Sequence, residues 1–285
     1  MYNAFDTTML TQDEWLQENE MRLLLMDVAL VPAFVESDPS RRAGSVYVVV
    51  DVIRATTTLA VAFDRGCRRV LVAPDIETAV ERARREPGRF LLGGEREGVA
   101  PPGFDLGNSP GEYARAGLAG SELLFVTTNG TRALRASMGG HRIFAGSYRN
   151  AEAVVQAAIR SAQSADQASI IVVCAGRENQ PAYDDTLCAG YLVREIAHRM
   201  EKIDYHVEME SGARIAAELS DAAMASATPL RERLSESGAG QAVKRIGLGN
   251  DLDWCAAIDA SSAAPRIIGV EDGLLILEND KNAVR

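Results

Sequence analysis

Four short segments of this chain combine carboxylates, arginines and hydroxyls in a pattern suited to phosphate chemistry. Asp51 and Arg54 stand just ahead of Thr56, Thr57 and Thr58. Glu95, Arg96, Asp105 and Asn108 share the Gly-rich stretch GGEREGVAPPGFDLGN. Thr127, Thr128, Asn129, Gly130 and Thr131 run consecutively into Arg132, and Arg177 and Glu178 precede Asp184 and Asp185. Hydroxyls and free N–H groups at a helix start suit a bound phosphate. Arginine forks suit phosphate, sulfonate or carboxylate. Several carboxylates beside a polyanion would repel it unless a hard cation lies between them. Mg2+ takes oxygen ligands and bridges to phosphate, so the combination points to metal-assisted phosphoryl chemistry.

Each cluster also has a plainer reading. Asp51 could cap the next helix, TTNGT could be an ordinary turn, Asp184-Asp185 could complement a helix dipole, and Arg177 could be a surface ion-pair residue. The chemical reading rests on position, because every cluster follows a predicted strand. Those strands are Val46 to Val50, Phe90 to Leu92, Leu123 to Val126 and Ser169 to Cys174, each an apolar run leading into a helical segment. Strands alternating with helices predict an α/β protein, a three-layer α/β/α arrangement with a mainly parallel sheet. A closing hairpin over Ile267 to Leu277, bent at Glu271-Asp272-Gly273, makes that sheet mixed. Ligands of such sheets bind at the carboxyl ends of strands, so a parallel sheet would bring the clusters to one edge. Asp75 reads as the N-cap of the helix from Ile76 to Arg85. Ser109-Pro110-Gly111-Glu112 has capping-box spacing. Residues 1–21 read as a polar extension and 22–285 as a single domain with a partly helical C-terminal region.

The 285 residues are 47% hydrophobic and 25% charged, ordinary for a chain that buries a real core. A formal net charge of −10 argues against nucleic-acid binding, which needs a basic face. The same charge repels an anionic substrate, so any anion site must be made locally positive. The four cysteines form no CxxC pair or zinc spacing and read as buried free thiols. The apolar stretch near Leu23 to Val35 is interrupted by Asp27 and Pro32 and is too short for a bilayer. No membrane partner and a cytoplasmic location are therefore expected, with a homodimer as the base-rate assembly. Cys188 to Arg194 has the Cys-x5-Arg spacing of cysteine phosphatases, but its apolar intervening residues place it inside a helix. Asp251-Leu-Asp253 follows Gly247-Leu-Gly-Asn rather than a strand and offers at most a supporting carboxylate. The histidines His141, His198 and His206 fit no metal cluster, and GxGxxG is missing.

VVVDVIRATTTLAVAFDRG, LLGGEREG, GFDLGNSPGEY, TTNGTRAL and CAGRENQPAYDDTLCAG occur in an order and spacing that resemble the 2-phosphosulfolactate phosphatase family. The match runs from about Val46 to Ala197, with an echo through GLGNDLDWCAAID. The resemblance implies a Mg2+-dependent hydrolase converting (2R)-phospho-3-sulfolactate and water to (2R)-3-sulfolactate and phosphate, a step that serves coenzyme M biosynthesis in methanogens. CAGRENQPAYDD is more polar than the common family version, which keeps another small phosphorylated 2-hydroxy acid open as substrate. A non-catalytic binder of such acids is the other open class. The expected catalytic residues are Asp51, Asp184, Asp185 and Arg54, and the expected metal ligands Asp51, Glu95, Asp105 and Asp184. Arg96, Thr127 to Thr131, Arg132 and Arg177 are expected to bind the substrate. Direct attack by water and passage through an aspartyl phosphate both remain open.

Overall fold

The computed structural model describes residues 22–37, 44–164, 168–203 and 205–280, so the extension predicted over 1–21 lies outside the described residues. Ten strands alternate with helices along the chain. In order they are β1 (Arg22–Ala29), α1 (Ala33–Glu36), β2 (Val46–Val50), α2 (Ala55–Asp64), β3 (Arg69–Val72), α3 (Ile76–Arg85), β4 (Phe90–Gly94), α4 (Pro110–Arg115) and β5 (Glu122–Val126). Then follow α5 (Gly130–Ala136), β6 (Arg142–Gly146), a 3-10 turn at Tyr148–Asn150, α6 (Ala151–Gln163), β7 (Ser169–Cys174), α7 (Tyr183–Glu201) and β8 (Tyr205–Met209). The remainder is α8 (Ser211–Met224), α9 (Leu230–Glu236), α10 (Gly238–Arg245), α11 (Asp251–Cys255), β9 (Pro265–Glu271) and β10 (Leu274–Asn279).

The strands form one sheet in the order β4-β5-β3-β10-β9-β6-β2-β7-β1-β8. Every residue of β2 is buried, as its β-branched run VYVVV requires of a strand covered on both faces. The pairs β4–β5, β5–β3, β6–β2, β2–β7, β7–β1 and β1–β8 are parallel, whereas β10 is antiparallel to both β3 and β9. The α/β class and the mixed, mainly parallel sheet expected from the sequence are thus both present.

The hairpin does more than add two strands. Three successive antiparallel steps, β3–β10, β10–β9 and β9–β6, reverse the sense of the β4-β5-β3 block relative to the β6-β2-β7-β1-β8 block. Alignment along a single flat edge, the sequence-based argument for convergence, is therefore not what joins the clusters. The hairpin joins the β6 block through one residue pair, Phe144–Arg266. Side chains from both blocks, including Val49 and Val173 on one side and Val72 and Phe125 on the other, pack with Leu59 of α2 and Leu134 of α5 in one core. Both blocks pack against α2 and α5, and the loops of the two blocks come together at one cavity. The opposite face of the β2 block is covered by α6, α7 and α8. A smaller core under α3 covers the β5 side.

Local signals explain most element starts. Asp75 accepts a hydrogen bond from the Thr78 N–H at 2.7 Å, as an N-cap should. The capping box expected at Ser109 does not form. The Ser109 hydroxyl instead donates to Asp251 at 2.6 Å, and the Glu112 carboxylate accepts from the Gly107 N–H at 2.8 Å. Tertiary partners outcompete the local cap.

Candidate active site

The loops after β2, β4, β5 and β7 line one open cavity of about 600 Å³, whose remaining wall is α10. Asp51 stands at the end of β2. Its Oδ1 accepts from the Ala55 N–H at 3.3 Å, so half of the carboxylate caps α2. Its Oδ2 faces Gly130, where an added Cβ would lie 2.9 Å away. Only glycine lets the start of α5 approach this carboxylate so closely. Burial pushes the Asp51 carboxyl up to about 7; the Ala55 N–H and Arg54 oppose the rise, and the nearby Glu95 and Asp184 add to it.

Arg54, three residues on, is buried and commits two nitrogens to structure. Nη1 donates to Asp251 Oδ2 at 2.8 Å and Nη2 to the Gly98 carbonyl at 2.6 Å. The side chains of Arg54 and Asp251 are 2% and 6% exposed, so this is a fully internal ion pair. The weak Asp251-Leu-Asp253 signal therefore supplies a carboxylate that anchors Arg54 rather than one that faces substrate.

Glu95 ties two loops together. Oε1 accepts from the Thr128 N–H and Oε2 from the Gly98 N–H, both at 2.8 Å. Asp185 does the same between two others, accepting from Val52 N–H and Gly176 N–H, each at 3.0 Å. With both oxygens committed to backbone, Asp185 is a positioning residue in this geometry. Burial and its neighbours Asp184 and Asp51 hold its carboxyl well above the usual range. Asp184 is buried too, and burial raises it to about 6 against the pull of its own N–H, Ser237 and Arg177. Its Oδ1 has no hydrogen-bond partner, and neither does the buried Asn108 Oδ1 at the cavity.

Arg96 and Arg177 are presented by two turns of the same design. Backbone bonds close Arg96 to Val99 (3.0 and 3.2 Å) and Arg177 to Gln180 (2.9 and 2.8 Å). Both central residues of each turn have positive φ: Glu97 at 55° and Gly98 at 87°, Glu178 at 52° and Asn179 at 61°. Both arginines line the cavity. Gly98 and Asn179 are residue types that accept such backbone, and they are the local signal for these turns.

The TTNGT loop is partly consumed by itself. The Thr131 N–H donates to Thr127 Oγ1 at 3.0 Å and the Thr127 N–H to Thr131 Oγ1 at 3.3 Å, so these hydroxyls organise the start of α5. Thr128 and Asn129 reach the cavity, and the N–H groups of Asn129 and Gly130 have no partner among the described residues.

Two expected residues lie elsewhere. Asp105 is exposed, and its Oδ2 accepts from the Leu92 N–H at 2.8 Å, pinning its loop to β4 in a depression shared with Glu112 and Arg115. Arg132 projects from the outer face of α5, since its neighbours Thr131 and Ala133 face inward. It pairs with Glu36 at 3.1 Å and bonds Asn179, lining a separate depression with Arg135.

The four cysteines are free and buried, as expected. Cys188 lies inside α7, so the Cys-x5-Arg spacing is coincidental. Among the described residues, no helix is long and apolar enough to cross a membrane.

The chain matches the 2-phosphosulpholactate phosphatase family over residues 33–269. It is 37% identical over 240 residues to a probable 2-phosphosulfolactate phosphatase of Symbiobacterium thermophilum, covering 83% of this chain and 96% of that protein. Proteins of the same description from Thermus thermophilus and Pseudothermotoga lettingae are 37% and 33% identical, over 79% and 87% of this chain and 88% and 97% of theirs. The chain belongs to the 2-phosphosulfolactate phosphatase family, and with it to the phosphomonoester hydrolases.

Proposed function

We propose that this chain hydrolyses (2R)-2-phospho-3-sulfolactate to (2R)-3-sulfolactate and inorganic phosphate, with Mg2+ as cofactor. The reading is carried by one juxtaposition: Asp51, Arg54, Glu95, Arg96, Asn129 and Arg177, from four separate loops, line a single cavity in a protein of this family. The relatives' names supply the substrate.

The donor set fits a hard cation. Among the described residues, no three His, Cys, Asp or Glu side chains are grouped to hold a metal by themselves. Mg2+ does not need that, since it is commonly held by one or two carboxylates with water and substrate phosphate completing the octahedron. Asp51 and Asp184 would hold it. Burial disfavours the charged form of both, and Asp184 Oδ1 is unpartnered, so a cation relieves a cost already built into the site. The ion would supply charge neutralisation at the phosphate oxygens.

The protein groups have separable tasks. The Asn129 and Gly130 N–H groups offer donors to phosphate oxygens. Arg54, fixed by Asp251 and Gly98, places a rigid positive charge beside Asp51. Glu95 and Asp185 hold the loops in register through backbone bonds. Arg96 and Arg177 offset the repulsion that a net charge of −10 imposes on an anionic substrate.

Purified protein should release phosphate from 2-phospho-3-sulfolactate in Mg2+ and not in EDTA, faster than from 2-phospholactate or phosphoglycolate. Faster release from another phosphorylated acid would reassign the substrate. No release from any of the three by folded, Mg2+-supplied protein would replace the enzyme with a binding module.

A further inference from the structure

We infer that Arg245, on the last turn of α10, is a specificity-determining residue that binds the sulfonate of the substrate; the substrate chemistry rests on the function proposed above. A cation at a helix C-terminus ordinarily complements the dipole, and the neighbouring Lys244 already serves that purpose. Arg245 differs in lining the cavity.

The other arginines around the site are compensated. Arg54 is paired with Asp251, Arg177 lies 3.6 Å from Glu178 and donates to the Gly238 carbonyl, and Arg132 is paired with Glu36 outside the cavity. The Arg96 and Arg245 side chains have neither ion pair nor hydrogen bond among the described residues.

The segments that carry these two uncompensated guanidinium groups touch directly, and both arginines line the cavity. Gly98, in the turn that presents Arg96, packs so closely on Ile246 that an added Cβ would lie 3.0 Å from Ile246 Cδ1. Ile246 immediately follows Arg245 and ends α10. Two elements far apart in sequence thus join at Gly98 and Ile246, each carrying a free cation into the cavity that holds Asp51. The arrangement suits a ligand with a second strong anion a few bonds from its phosphate. Sulfonate, with three oxygens and a permanent charge, matches a pair of guanidinium forks. Arg54 and Arg177, already partnered by Asp251 and Glu178, remain with the Asn129 and Gly130 N–H groups for the phosphate and the carboxylate.

The test uses the full chain and Arg245→Gln, an exposed and unpaired position whose change should leave Tm within about 2 °C. Loss of a charge-assisted pair predicts roughly a 10- to 100-fold rise in KM for 2-phospho-3-sulfolactate. The KM for 2-phospholactate, which lacks the sulfonate, should stay within about threefold. Arg245→Lys should recover part of the loss, since charge returns without the fork. Calorimetry with 3-sulfolactate gives a readout independent of turnover: the wild type should bind it, and Arg245→Gln should bind it at least about tenfold more weakly. An equal KM change for both substrates, unchanged sulfolactate affinity, or no sulfolactate binding by the wild type would overturn the assignment. A wild type that releases no phosphate, yet binds sulfolactate through Arg245, would sink the phosphatase reading and leave this one standing.

Discussion

The internal pair Arg54–Asp251 gives a prediction whose size follows from its burial. Replacing Asp251 with alanine leaves the Arg54 guanidinium, 2% exposed, without its counter-charge and strips the Ser109 hydroxyl of its acceptor. Breaking a buried pair from one side costs about 3–5 kcal/mol. With an unfolding entropy of about 2.1 cal/mol/K per residue across the chain, that is a fall in Tm of roughly 5–8 °C. The double variant Arg54→Met, Asp251→Leu removes both charges, so the uncompensated guanidinium disappears. What remains is an unsatisfied Gly98 carbonyl and Ser109 hydroxyl, about 1 kcal/mol each. Thermal or urea unfolding of Arg54→Met, Asp251→Leu and the double variant, beside Asp251→Ala, checks this. The double variant should lie above Asp251→Ala in Tm, so that the two losses are strongly non-additive. A shift below about 2 °C for Asp251→Ala, or a double variant that loses the sum of the singles, would refute the account of Arg54 as a charge held in place by Asp251.

Two further outcomes follow from the same geometry. Gly130→Ala places a methyl 2.9 Å from Asp51 Oδ2 and 3.0 Å from the Ala55 Cβ, so either α5 or the carboxylate must move. We expect turnover to fall by roughly 100-fold, as for a misplacement of about an ångström, while circular dichroism and Tm show the chain still folded. The carboxyl of Asp51, at about 7 when folded, binds a proton that its unfolded counterpart releases near 3.8. Between roughly pH 4 and 7 the folded state therefore carries the extra proton, and stability falls as pH rises through that window. Asp184, at about 6, adds in the same direction up to its own value. Asp185, held above the usual range, adds in the same direction, so in EDTA urea unfolding should show stability falling between pH 5 and 8, with Asp51→Asn making the fall shallower by roughly 2–3 kcal/mol; an equally steep profile in the variant would contradict the burial of this carboxyl.

Much of the fold is legible in the sequence because its signals are local. The β-branched runs of β2 and β7, the Asp75 cap and the turn at Asp272-Gly273 each depend on a few neighbouring residues. The joining of the two blocks is not local. It depends on the hairpin β9–β10 inserting between two parallel blocks, a long-range pairing that no short window contains. The site divides along the same line. Asp51, Glu95 and Arg177 were identifiable from their place after strands, because that place is a local property. The separation of Asp105 and Arg132 from them depends on which way a loop and a helix face turn. The place of Asp251 beneath Arg54, and of Arg245 on the cavity wall, depends on packing between segments far apart in the chain. The capping box at Ser109 failed for the same reason: a distant carboxylate was the better acceptor.

The central claim is that the cavity around Asp51 is where phosphate is released. It is tested most directly by phosphate release from 2-phospho-3-sulfolactate by wild type and Asp51→Asn at equal protein concentration and saturating Mg2+, with Tm measured on both. Asp51→Asn keeps the side-chain shape and a carbonyl oxygen able to accept from the Ala55 N–H, so the fold should survive. The account predicts a loss of at least about 1,000-fold in turnover with little change in Tm. Turnover within about tenfold of wild type, from a variant equally well folded, would contradict it and place the chemistry elsewhere.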